Sequence, residues 1–126
     1  MILTINNQEY ELKFGFAFIK KINQLMGLKD SDGAEMGNGL QRVSFMLAQE
    51  EPEAVATVIM AATDHLKKRP TGKEIESFLE EYADFEGLLK EIDESLSNAT
   101  PLGVSKKYQK AKELIKQAEA RVNSEL

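Results

Sequence analysis

His65 is the single histidine of this 126-residue chain and so the one candidate for histidine-based acid–base chemistry. A structural zinc site would need further ligands of the cysteine or histidine type, and the chain has no cysteine. With Asp64 and Leu66 as neighbours and no recognisable partner, His65 reads as a surface residue. The acids Glu80, Glu81, Asp84 and Glu86 could in principle hold a hard cation. Their spacing lacks the ligand order of a calcium loop, so a solvated helix face accounts for them. Asp30-Ser31-Asp32-Gly33 begins like such a loop, but Gln41 stands where the closing glutamate belongs. Gly33, Gly37 and Gly39 match neither the phosphate loop nor the dinucleotide fingerprint, and Gly72-Lys73 fails for the same reason. Ser44 and Ser77 lack histidine and carboxylate partners that a motif would identify. The sequence predicts no enzyme, no metal site and no cofactor.

Composition points the same way. An apolar fraction of 42% with 29% charged residues is ordinary for one globular domain, and the length allows one core but not two. No apolar run approaches about eighteen residues and no leader pattern opens the chain, which predicts no membrane partner and a cytoplasmic location. The net charge of −5 is unevenly spread. Residues 1–98 hold ten cations and eighteen acids, or −8, while residues 99–126 hold six and three, or +3. An acidic body repels nucleic acid, so no nucleic-acid partner is expected. The same asymmetry would suit head-to-tail self-association between copies.

The elements that must position any site begin with a hairpin. Asn6-Asn7 can supply the two left-handed positions of a type I′ turn, placing Ile5 opposite Gln8, Leu3 opposite Tyr10 and Met1 opposite Leu12. A slip by one residue would send Leu3 and Tyr10 to opposite faces. Phe18, Ile19, Ile22, Leu25 and Met26 then recur at helical spacing up to Gly27. Residues 29–39 read as a mobile loop, since they combine glycines and acids without apolar periodicity.

A second helix carries Leu40, Val43, Met46 and Leu47 and stops before Pro52, which opens a third. The third carries Val55, Val58, Ile59, Ala62 and Leu66, with Lys67-Lys68-Arg69 at its end. Thr71 and Glu74 form a capping box for a fourth, with Ile75, Phe78, Leu79 and Tyr82 inward. A fifth, from about Asp84, aligns Phe85, Leu88, Leu89, Ile92 and Leu96. Residues 97–103 read as a linker.

Val104, Tyr108, Ala111, Ile115, Ala118 and Val122 then form a thin heptad seam among lysines. Such a helix is weak alone, so it should dock on the body, on another copy or on a partner. The expected organisation is a hairpin-plus-helical body over 1–98 and a basic amphipathic extension over 99–126. The fold class is mainly α, with an N-terminal β-hairpin and five or six short helices in one compact domain.

The hairpin, the run Phe14-Gly15-Phe16-Ala17-Phe18, the glycine-rich 33–39 stretch, the Glu51-Pro52-Glu53 helix start and the Lys-rich tail together resemble the tail assembly chaperones of long-tailed phages and prophages of Gram-positive bacteria. The resemblance covers nearly the whole chain. It implies a helical chaperone that keeps the tape measure protein soluble and yields to the major tail protein as the tube forms, absent from the mature virion. It also implies a longer frameshifted product of the same gene, of which this chain would be the shorter form. A small helical adaptor or regulatory interaction module is the alternative with the same bulk features.

A client surface should use apolar residues that the core leaves over. Phe14, Phe16 and Phe18 have two readings, as core or as a partly exposed patch around Phe16. The expected partner-binding residues are Phe16, Met36, Phe45 and Met46. Phe45 is singled out because it lies off the Leu40/Val43/Leu47 stripe. Tyr108, Ala111, Ile115, Ala118 and Val122 are expected to serve self-association or docking.

Overall fold

The structure, a computed structural model, describes residues 1–125, so the last residue of the expected 99–126 segment lies outside it. Strands β1 (Ile2–Ile5) and β2 (Gln8–Glu11) pair antiparallel. The register matches Leu3 with Tyr10 and Ile5 with Gln8, as the alternation requires. Asn6 and Asn7 both have positive φ, 52° and 63°, so the turn is of the primed type whose twist suits a two-residue hairpin. Leu3, Ile5, Tyr10 and Leu12 are all buried.

The first helix, α1 (Phe16–Met26), buries Phe18 and Ile22. Phe14 and Phe18 meet edge to face at 5.1 Å, while Phe16 between them points outward.

Residues 28–37 depart from the sequence expectation. Instead of a plain loop they form a second hairpin, β3 (Leu28–Lys29) against β4 (Glu35–Gly37). The cause is local hydrogen bonding. Asp30 Oδ1 accepts from the N–H groups of Asp32 and Ala34, both at 2.9 Å, and Gly33 takes φ +83°. The Asp-Gly chemistry thus closes a turn without any apolar signature.

Helix α2 (Gly39–Ala48) packs across α1, and the approach is close because Gly39 has no side chain. Helix α3 (Pro52–Ala62) starts at the proline as expected but ends earlier than its apolar spacing suggests. The carbonyl of Ala62 is taken by the N–H of Lys13 at 2.9 Å, and Thr63 folds its hydroxyl back on Ile59 at 2.8 Å. Leu66 and the Lys67-Lys68-Arg69 cations therefore lie in a turn beyond the helix, where Arg69 pairs with Asp64 at 2.6 Å. His65 sits in the same turn. It is half-buried rather than at the surface, and among the described residues its Nε2 has no partner.

Helix α4 (Gly72–Glu81) has the full capping box. Glu74 receives the Thr71 N–H and also the Asn6 amide, which tie helix to hairpin turn and hold its carboxyl below the usual range. Asp84 caps α5 (Phe85–Ser97) through the Gly87 N–H at 3.0 Å. The expected linker is anchored at one point, the buried Ala99, and makes a 3-10 turn at Pro101–Gly103, with Asn98, Thr100, Pro101 and Leu102 exposed. Leu102 and Gly103 both have positive φ there and redirect the chain into α6 (Val104–Glu125).

One core runs from Leu3 through Val55, Val58, Ile59, Leu88 and Ile92 to Tyr108. No described helix is long and apolar enough to cross a membrane.

Candidate functional site

Helix α6 is held by its first two turns and then leaves the core. Val104, Tyr108 and Ala111 are buried, Ile115 is half-buried, and Ala118 and Val122 are exposed. Asp93 of α5 is the clasp. It accepts a hydrogen bond from Tyr108 Oη at 2.7 Å and one from Lys112 Nζ at 2.8 Å, and the ammonium also lies 5.3 Å from the Tyr108 ring centre. Partial burial would raise the Asp93 pKa, but the hydrogen bonds from Lys112 and Tyr108, helped by the lysine charge, outweigh it and hold it below the ordinary value. Burial, then the bond to Asp93 and its charge, push the Tyr108 phenol up.

The outer half of α6 stands beside α2, and an open groove of about 1080 Å³ runs between them. From α2 come Phe45 and Met46, with Gln41, Arg42 and Gln49. From α6 come Ala111, Leu114, Ile115, Ala118 and Val122, with Glu119 and Asn123; Leu28 and Asn38 complete the lining.

The local reason is helical phase. α2 buries Val43, Ser44 and Leu47. Phe45 lies two residues from both Val43 and Leu47, and residues two apart on a helix do not share a face. Its ring is consequently left 54% exposed, beside Val122 at 57%.

The residues singled out in the sequence divide unevenly. Phe45 and Met46 share the groove with Ala111, Ile115, Ala118 and Val122, so two sets read separately become two walls of one feature. Met46 is half-buried and packs on the core as well, which makes it less available than expected. Phe16 and Met36 are 67% and 64% exposed but line no part of the groove. Tyr108 belongs to the clasp and the core. Leu28 and Leu114 were not singled out in the sequence, though Leu114 could have been, since it lies three and four residues from Ala111 and Ala118.

Among the described residues no three acids or histidines gather as a metal would require. What the fold presents is a small helical body with an open, largely apolar channel between two helices, a shape that could take up a segment of another protein. Family comparison gives the same class a name: residues 2–118 match the phage tail assembly chaperone protein family, TAC. The chain belongs to that family. No curated protein and no solved structure matches it.

Proposed function

We propose that this chaperone keeps the tape measure protein soluble by holding an apolar segment of it in the α2/α6 groove, then releases it to the major tail protein. The observation that carries the reading is the exposed apolar lining around Phe45, Leu114 and Val122, which the chain's own core leaves unused. Met46 and the thin α6 wall give a pliable surface, as a client with varied sequence along its length requires. The location consistent with this role is the host cytoplasm during assembly.

Phe45→Asp is the test. Its ring is already half in water, so folding stability should change by less than about 1 kcal/mol. Even with Arg42 one turn away on α2, a carboxylate that an apolar client would desolvate opposes the client's binding. Co-expressed tape measure fragments should stay soluble with the unaltered chain and precipitate with the variant. If the variant folds and still co-purifies the fragments, the groove is not the client site.

Self-association is part of the same proposal. Lys106, Lys107 and Lys110 are exposed on α6, and Glu80, Glu81, Glu86 and Glu91 are exposed on the α4–α5 side. Contacts between such unlike faces propagate head to tail. Light scattering should give an apparent mass above the monomer at low salt, falling as salt screens the charges. Lys106→Glu with Lys110→Glu is the control, since deleting residues 104–126 would expose the core around Val104 and Tyr108. A monomer at both salt concentrations would rule the association out.

A further inference from the structure

We infer that the groove's occupant is an amphipathic α-helix whose apolar stripe is flanked by uncharged polar residues, captured with little dependence on salt. The inference rests on the groove reading and adds the chemical class of the segment.

The first observation is electrical. Charged residues make up 29% of the chain and the body is strongly acidic, yet the fourteen lining residues include only Arg42 and Glu119, one of each sign. The remaining polar lining is carboxamide, from Asn38, Gln41, Gln49 and Asn123. Among the described residues none of these six side chains makes a hydrogen bond or ion pair. A carboxamide both donates and accepts, so it can satisfy a hydroxyl, another amide or a water on the incoming flank. It repays less of the hydration lost by a charged flank than an opposite charge would, and only Arg42 and Glu119 offer such charges here. A neutral rim therefore favours Gln, Asn, Ser and Thr on the client and disfavours Glu and Lys.

The second observation is the shape of the walls. Both long walls are helices, whose backbone groups are already bonded internally and offer no ladder to an extended chain, and only Leu28 at the margin belongs to a strand, itself two residues long. An extended segment would bury unsatisfied N–H and C=O groups against apolar side chains, whereas a helix satisfies its own. The lining stretch of α6 from Ala111 to Asn123 corresponds to about 18 Å of helix, so a client segment of three to four turns fills it.

The experiment uses the full chain and two synthetic peptides matched for helicity by circular dichroism. Both carry the same leucine stripe and zero net charge; one has Gln and Ser flanks, the other alternating Glu and Lys. Fluorescence anisotropy should show the uncharged-flank peptide binding about tenfold tighter, a difference of about 1.4 kcal/mol. Its Kd should change less than about twofold between low and high salt, because no net charge is neutralised on binding. Phe45→Asp should abolish binding of both peptides. Equal affinities, tighter binding of the charged-flank peptide, a strong salt dependence or no binding of either peptide would each overturn the inference. The underlying reading is judged separately: if tape measure fragments still require Phe45 while the peptides fail to discriminate, only the flank chemistry is wrong. If Phe45→Asp binds peptides and fragments like the unaltered chain, the groove assignment itself falls.

Discussion

Truncating Tyr10 to alanine is expected to destabilise the protein by about 3 kcal/mol, the order found for removing a well-packed core aromatic. Tyr10 is only 3% exposed and stands opposite Leu3, which is buried with it. The hairpin has just two strands, so it is not stable by itself and depends on the face that Tyr10 supplies. The loss would propagate, because Lys13 immediately after the hairpin donates to the carbonyl of Ala62, and Asn6 in its turn reaches Glu74. Chemical denaturation monitored by helical circular dichroism is the measurement. A change below about 0.5 kcal/mol would mean that the Tyr10 face is not load-carrying and that the register has no energetic force behind it.

Gly39→Ala should cost a comparable amount, about 2–3 kcal/mol, by overpacking rather than by leaving a cavity. A Cβ on Gly39 would lie 2.5 Å from the carbonyl oxygen of Ile22 and 2.8 Å from the backbone nitrogen of Asn23. Those atoms belong to the backbone of α1 and cannot rotate aside, so α1 and α2 would have to separate. The hydrogen bond from the Gly39 N–H to Asn23 Oδ1, 2.9 Å long, would be strained or lost with them. Gly15→Ala is the contrast, since a Cβ there meets nothing within 4 Å. The denaturation midpoint should fall for the first variant and move much less for the second, which gives up only the glycine preference at the N-cap of α1. Equal midpoints would show that the α1–α2 crossing can relax without loss. Because Asn38 and Gln41 flank this contact and line the groove, the first variant should also weaken client binding.

Much of this fold is legible from neighbours in the chain. Asn6-Asn7 and the alternation around them specify the hairpin and its register, since a two-residue turn leaves one pairing that keeps Leu3, Ile5, Tyr10 and Leu12 on one face. Thr71 with Glu74, Asp84 and Pro52 fix three helix starts through bonds or ring constraints that span a few residues. The resemblance to tail assembly chaperones likewise rested on short segments in order, and the family match bears it out.

What the sequence did not reveal depends on partners distant in the chain or on bonds without an apolar signature. The β3–β4 hairpin is held by the Asp30 side chain, and hydrophobic periodicity cannot register a hydrogen bond. The end of α3 is decided by Lys13, some fifty positions away, taking the Ala62 carbonyl. Phe45 reads as left over when taken alone, and the heptad seam of α6, Val122 included, is compatible with docking on the body, on another copy or on a partner. Only the tertiary structure, by pinning Tyr108 and Lys112 to Asp93, directs the first turns of that seam into the core and its outer half toward α2. Helical phase, a property of the sequence, determines which residues remain outside the core. Which leftover residues face one another across a groove is set by how the helices cross, and that depends on side-chain packing between segments the chain brings together only on folding.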